Sequence, residues 1–179
     1  MNIKIIDNFL NDEDFNELCL LKLKQVKENE IIVYHNHIYK NQEVKCDCIA
    51  EKTVRRLFKN YHEKAMNLLK ELSPKKINLY EYSTFHIIET GANYKFPIHD
   101  DTPNKLLSGV VYLRPEKNSG TMFYKNKKGH EKQIIDWKQN RAVFFSRIER
   151  QTWHSFQGDG KSNRIALVYN LMTNNLREV

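Results

Sequence analysis

Three cysteines, Cys19, Cys46 and Cys48, stand in 179 residues, too few for a disulfide framework in a domain of this size. Cys46 and Cys48 are one residue apart and no second pair completes a zinc site, so all three are expected as reduced, partly buried thiols. Long apolar runs are missing too: none approaches the roughly 18 residues that a membrane span needs. The opening Met1-Asn2-Ile3-Lys4-Ile5-Ile6-Asp7 returns to charge after a few apolar residues, unlike a signal peptide. The expectation is a cytoplasmic protein with no membrane partner. Repeats, low-complexity tracts and linkers are also absent, and the length fits one domain.

Hydrophobic residues make up 40% of the chain and charged residues 28%, so a core can form. The formal net charge of +7 points toward acidic partners, and nucleic acid has to be weighed among them. Yet Lys22, Lys24, Lys27, Lys52, Lys59, Lys64, Lys70, Lys75 and Lys76 are scattered rather than massed in one block. On helices such spacing makes a solvated face, so charge alone selects no partner.

The periodicity divides the chain near residue 75. Ile3 to Ile6 reads as a strand, followed by a helix capped by Asn11 or Asp12. Glu13 and Asp14 suit its first turn, and Phe15, Leu18, Leu21 and Val26 make its apolar stripe. Ile31 to Tyr34 predicts a short strand, and His35 to Asp47 a loop. A second helix is expected from about Ala50 to Leu72, because Val54, Leu57, Phe58, Tyr61, Ala65, Leu68, Leu69 and Leu72 recur at spacings of three and four. Pro74 ends it.

From Lys76 the pattern turns strand-like. Ile77 to Glu89 is a long β-branched and aromatic run closed by Thr90-Gly91-Ala92-Asn93. Shorter strands follow near residues 98–101, 107–113, 121–124, 133–135, 141–147, 152–156 and 164–171, separated by turn residues. About eight strands at this spacing predict a mainly β (α+β) fold, a two-sheet barrel or jelly roll packed against N-terminal helices. Residues 1–75 would be helical support and 76–179 the β core.

The chemistry concentrates at His99-Asp100-Asp101 and at His154. Alternate side chains of a strand share a face, so His99 and Asp101 can point together into a pocket while Asp100 points away. Two imidazoles and one carboxylate on one side of a metal leave positions open, the arrangement that suits non-haem Fe(II). Arg164, ten residues after His154, opens the alternating segment Arg164-Ile165-Ala166-Leu167-Val168-Tyr169. Ile165, Leu167 and Tyr169 fit a packed outer face, which turns Arg164, Ala166 and Val168 toward the pocket. A guanidinium there is costly without an acidic partner, and a carboxylate held through two hydrogen bonds is the natural one.

On these residues the sequence resembles the 2-oxoglutarate/Fe(II)-dependent oxygenase superfamily, in particular its prolyl-hydroxylase-like branch. The H-x-D motif stands as His99-Asp100-Asp101, the distal histidine as Thr152-Trp153-His154-Ser155-Phe156, and the arginine as Asn163-Arg164-Ile165-Ala166-Leu167. Ser108-Gly109-Val110-Val111-Tyr112-Leu113-Arg114-Pro115, then Gly120-Thr121-Met122-Phe123-Tyr124, look like the strands that follow H-x-D in that family. Ile5-Ile6-Asp7-Asn8-Phe9-Leu10 is similar to its usual opening. The resemblance covers nearly the whole chain and implies a double-stranded β-helix (jelly roll, cupin-like). It implies Fe(II) bound by His99, Asp101 and His154 as catalytic and metal residues, and 2-oxoglutarate bound by Arg164 and supported by Tyr112. The reaction implied is hydroxylation of a C–H bond in a peptide, amino-acid or small-molecule substrate by O2, releasing succinate and CO2, with ascorbate as a reductant. The chain departs from prolyl hydroxylases where a tyrosine usually precedes the glycine before H-x-D: Ile88 or Glu89 stands there, before Gly91, and Tyr94 follows it.

Other features are open to two readings. His35 and His37, two apart, could join Asp47 or Cys46 in a second metal site, or be exposed loop residues, as their polar setting favours. His86 reads as a core histidine or as a group pointing into the barrel. Trp137 and Trp153 read as packing residues, with Trp153 placed to shape the surroundings of His154. Two alternative functions stand beside the oxygenase: a cupin-like module that only binds a metal or ligand, and a nucleic-acid oxidative demethylase. The substrate would be set by residues 34–48, 90–97 and 125–132, none of which carries a readable motif, and the oligomeric state is equally illegible.

Overall fold

A computed structural model describes residues 2–175. Strand β1 (Ile3–Ile6) leads into helix α1 (Asp12–Cys19), where the Asn11 side chain accepts a hydrogen bond from Asp14 N–H at 2.8 Å. This is the N-cap arrangement, with Asp12, Glu13 and Asp14 in the first turn. The helix stops at Cys19, short of Leu21 and Val26. Beyond it Leu20 is 78% exposed, whereas Leu21 and Leu23 pack on the core and Val26 is buried. Residues 20–30 hence run as irregular backbone rather than as the helix their spacing predicts.

The predicted loop at 35–47 also gains structure. Strands β2 (Ile31–Tyr34), β3 (His37–Tyr39) and β4 (Val44–Lys45) precede α2 (Glu51–Leu72). The first 75 residues thus contribute four strands as well as two helices. Helix α2 presents Val54, Leu57, Tyr61, Ala65 and Leu69, all buried, along one stripe. Each fully buried Leu or Val is worth about 1.5–3 kcal/mol against exposure. Pro74 starts a 3-10 helix (Pro74–Leu79) that takes up Ile77 and Leu79, so the long strand begins later than expected, as β5 (Tyr82–Thr90).

The remaining strands are β6 (Lys95–His99), β7 (Lys105–Arg114), β8 (Thr121–Tyr124), β9 (Gln133–Ile135), β10 (Ala142–Phe145), β11 (Trp153–Gln157) and β12 (Arg164–Met172). They form two antiparallel sheets. The larger runs β1-β10-β7-β12-β5-β3-β4, with β2 also paired to β5, and the smaller runs β6-β11-β8-β9. Pro97 is tolerated in β6 because that strand is an edge. The large sheet has one face against the helices, where Phe85, Ile87, Val111, Leu167 and Tyr169 join the main core. Its other face meets the small sheet through Tyr112, Val143, Phe145, Phe123 and Ile135. The alternation expected for β12 is the one found, and it turns Arg164 toward the space between the sheets.

Asp14 joins the two helices. Fully buried, it accepts hydrogen bonds from Arg56 Nε at 2.7 Å, Tyr61 Oη at 2.6 Å and Asn60 Nδ2 at 2.9 Å. Burial works to raise this carboxyl, but the bonds from Tyr61, Arg56 and Asn60 outweigh it and hold it below its ordinary value. A group whose folded pKa is depressed stabilises the fold above its unfolded pKa, near 3.9, and loses that contribution as pH falls through the folded value. Asp14→Ala is therefore expected to cost about 3 kcal/mol at pH 7, because three donors lose their acceptor. Urea unfolding should show the gap between wild type and variant shrinking as pH drops from 5 toward 2.

Candidate metal centre

His154 on β11 lies opposite His99 on β6 and opposite Phe123 on β8. Strand pairing thus sets the two imidazoles side by side on the inner face of the small sheet, with ring centroids 4.2 Å apart. Asp101 follows two residues after His99, just past the end of β6, and is only 4% exposed. Its Oδ1 lies 3.9 Å from His99 Nε2 and 3.9 Å from His154 Nε2. Asp100 points away, accepting from Arg150 N–H at 2.9 Å and Thr152 Oγ1 at 2.5 Å.

The rings are oriented from behind. His99 Nδ1 lies 3.0 Å from the Pro97 carbonyl and His154 Nδ1 2.8 Å from the Thr152 carbonyl. An Nδ1–H donated to each carbonyl leaves both Nε2 lone pairs turned toward Asp101, the tautomer a metal ligand needs. Burial lowers the His154 pKa against the pull of Asp101. Burial works to raise Asp101, but Lys105 and His154, with hydrogen bonds from Lys105 and Ser108, hold it low. A neutral imidazole and an ionised carboxylate are the protonation states a cation requires. Metal bonds of about 2.1 Å at right angles put ligand atoms about 3 Å apart, so these groups need close in by only about 1 Å.

Sequence reasoning did not identify the groups that hold Asp101. Ser108 Oγ donates to its Oδ2 at 2.5 Å, and Lys105 Nζ donates to its Oδ1 at 2.7 Å. Lys105 thereby sets an ammonium on the oxygen that both imidazoles face, where a metal ion would compete with it. Phe145 packs on His154 at 4.8 Å between centroids, nearly edge-on. None of these has a motif, although Ser108 and Phe145 are a cross-strand pair.

Arg164 lies deeper, 3% exposed. Its guanidinium carbon sits 4.1 Å from the Phe156 ring centroid, 5.3 Å from Trp137 and 5.6 Å from Tyr112. Its Nε has no hydrogen-bond partner, and no carboxylate pairs with the guanidinium among the described residues. Burial pushes its pKa down to about 10. Tyr112 is beside it, but the hydroxyl is occupied: it donates to Thr121 Oγ1 at 2.8 Å and accepts from Thr121 N–H at 2.9 Å. What Tyr112 offers Arg164 is its ring, stacked on Trp137 at 4.5 Å. Trp137 is thus part of the arginine's surroundings and not packing alone. Tyr94 sits against Phe156, with centroids 6.0 Å apart.

Solved structures share this arrangement of strands. A prolyl-4-hydroxylase from Pseudomonas putida superposes with a TM-score of 0.62 at 12% identity, over 97% of this chain and 93% of that one. An oxidoreductase of the 2OG-Fe(II) oxygenase family from Burkholderia pseudomallei gives 0.64 at 13%, over 97% and 86%. A Trichoplax adhaerens prolyl hydroxylase, in complex with a hypoxia inducible factor peptide fragment, gives 0.60 at 14%, over 98% and 85%. The fold is that of the 2-oxoglutarate/Fe(II) oxygenases. No protein-family model and no curated protein matches the sequence. Within the oxygenase fold, His99, Asp101 and His154 converge at one point, and Arg164 faces the same space between the sheets. No helix among the described residues is long and apolar enough to cross a membrane.

Proposed function

We propose that this chain is an Fe(II)- and 2-oxoglutarate-dependent dioxygenase that hydroxylates a C–H bond of a peptide, amino-acid or small-molecule substrate. The observation that carries the reading is Arg164, a guanidinium buried among three aromatic rings without an acid to pair with. A fold does not retain an unpaired buried charge cheaply, and a dicarboxylic ligand resolves the imbalance with one bidentate pair. A cupin-like module that only binds a metal has no use for such a group. His99, Asp101 and His154 would hold iron, and their chemistry fits it: two imidazoles and a carboxylate converging from one side.

Bound there, iron and 2-oxoglutarate would supply the activation of O2, with succinate and CO2 released as substrate is hydroxylated. The protein's own contribution is geometric. The Pro97 and Thr152 carbonyls keep the imidazoles in one tautomer, and Ser108 keeps the Asp101 carboxylate from rotating. Arg164 orients the distal carboxylate of the co-substrate, while Phe156, Trp137 and Tyr112 keep water from the pair and so strengthen it. Ser108→Ala is expected to weaken Fe(II) binding by about 10–100-fold, the usual cost of losing a group that orients a ligand, and to cost about 1–3 kcal/mol of fold stability because a buried carboxylate oxygen loses its donor. Anaerobic Fe(II) titration would register it.

The deciding assay is succinate release from anaerobically purified protein given Fe(II), ascorbate and 2-oxoglutarate in air, with candidate substrates added. Ascorbate serves there to keep iron reduced. Failure of both 2-oxoglutarate and Fe(II) to bind would overturn the reading. One feature favours nucleic acid as a second substrate class: a cleft lined by Asn126, Lys127, Lys128, His130, Arg150 and Trp153, on the face of β11 opposite the one that carries His154. Basic groups with an aromatic platform are the means by which single strands are held. Methylated oligonucleotides and peptides compared in the same succinate assay separate the two classes.

A further inference from the structure

His35, His37 and His86 meet on the large sheet, away from the centre described above. Strand pairing brings them together. Tyr34 lies opposite Ile87 and His37 opposite Thr84, so β2 and β3 follow β5 in one register, which sets His35 across from His86. His35 and His37 are two apart and share a face, and the third imidazole comes from the neighbouring strand. The pairing with Asp47 or Cys46 that the sequence left open is replaced by one with His86. The ring centroids are 4.7 Å apart for His35 and His86, 5.0 Å for His37 and His86, and 6.2 Å for His35 and His37.

We infer that these three histidines form a second metal site, for a first-row divalent ion such as Zn(II), distinct from the iron centre. One ring nitrogen from each lies within 4.8 Å of the others. Tetrahedral bonds of 2.0–2.1 Å call for about 3.4 Å, so small side-chain rotations suffice. Three imidazoles with the fourth position left to water is a known way of binding zinc. Both nitrogens of His37 and Nδ1 of His86 are buried without any hydrogen-bond partner, which a satisfied core histidine would not leave.

The backbone between the strands is fixed independently of the rings. Asn36, fully buried, exchanges bonds with Phe85: Phe85 N–H donates to the Asn36 carbonyl at 2.8 Å, and Asn36 Nδ2 donates to the Phe85 carbonyl at 3.0 Å. Its Oδ1 accepts from Asp47 N–H at 2.9 Å. Burial, then the neighbouring His35 and Lys45, lowers the His37 pKa. Burial, the other two histidines and Lys105 push His86 down to about 3. These two lone pairs are free at neutral pH with no proton to displace. The ammoniums of Lys45 and Lys105 oppose a cation and set the affinity below that of the same triad without them.

The site is separate from the first. A cross-strand row on the same face of the sheet runs from Ser108 through Asn170 and Thr84 to His37. Three strand spacings of about 4.8 Å place His37 about 14 Å from Ser108, too far for one ion to serve both centres.

The test is Co(II) titration of tag-free, chelator-stripped full-length protein, read by equilibrium dialysis and visible d–d absorption. Wild type is expected to bind two equivalents, and the double variant His99→Ala, His154→Ala to retain one. Adding His35→Gln or His37→Gln to that double variant should weaken the remaining equivalent at least about tenfold. His35 is exposed, so its substitution leaves folding intact, and circular dichroism verifies this for each protein. The inference is overturned if the double variant binds no Co(II), or if its bound equivalent is indifferent to both histidine changes. Because the double variant lacks the first centre, neither result bears on whether that centre holds iron.

Discussion

Arg164→Met is expected to raise the melting temperature of the ligand-free protein by about 2–8 °C while abolishing its response to 2-oxoglutarate. The two effects share one cause. Burial pushes the guanidinium pKa from its ordinary range down to about 10, and at 1.36 kcal/mol per unit that places the cost of keeping the charge in the interior at about 3 kcal/mol. The rings of Phe156, Trp137 and Tyr112 return part of it, about 1–2 kcal/mol for a desolvated cation over aromatic faces. Methionine keeps much of the volume, removes the charge and packs well against rings. The net gain is then about 1–2 kcal/mol, and in a chain of this size each kcal/mol moves the melting temperature by about 2–4 °C.

The ligand response runs the other way. For wild type, 2-oxoglutarate at a hundred times its dissociation constant should add about 2.7 kcal/mol of stability, because it binds only the folded protein. The Met variant, with no cation for the distal carboxylate, should show no such shift and no succinate. Scanning calorimetry with and without 2-oxoglutarate measures both. A variant that melts lower than wild type without ligand would mean that Arg164 has a partner in the fold and calls for no dicarboxylic ligand.

What could be read from the sequence was what depends on local spacing. Helix α2 and strand β12 came out close to their final bounds because each repeats its apolar pattern over many residues. Helix α1 ends earlier than its spacing predicts because Leu21 and Val26 continue a spacing of three to five by coincidence, while packing on the core holds them in irregular backbone. Strand β5 starts later than its composition predicts because Ile77 and Leu79 reach the core, half-buried, from a 3-10 turn as well as from a strand. In the centre, His99, Asp101, His154 and Arg164 were legible as a motif, and the fold gathers them around the space between the sheets. The supports were not. Ser108 holds Asp101 from β7, Thr121 occupies the Tyr112 hydroxyl from β8, and His86 meets His35 only once β2 and β5 are in register. Ser108 is seven residues from Asp101 and Thr121 nine from Tyr112, but those contacts depend on how the chain turns between elements, and the histidine contact depends on strand pairing between distant segments; apolar spacing reports neither.

Asp101→Ala should end turnover as completely as Arg164→Met but with the opposite effect on the fold. Asp101 is buried and accepts from Lys105 and Ser108, and its carboxyl is held below its ordinary value despite burial. The ionised group is therefore better accommodated in the fold than in water. Removing it strands the Lys105 ammonium and the Ser108 hydroxyl. Breaking a buried pair costs about 3–5 kcal/mol; Lys105, with 26% of its side chain exposed, can turn partly to solvent, so the lower end is expected. At about 2–4 °C per kcal/mol the melting temperature should fall by about 6–12 °C. Loss of a ligand of the proposed iron site should weaken Fe(II) binding by more than the 10–100-fold that an orienting group commands. Two substitutions that abolish the same reaction while moving stability in opposite directions exclude unfolding as the common cause. They also separate the two halves of the centre: a metal end whose charges are balanced within the protein, and a carboxylate end whose balance awaits the ligand. If both variants lost stability together, that division would be wrong.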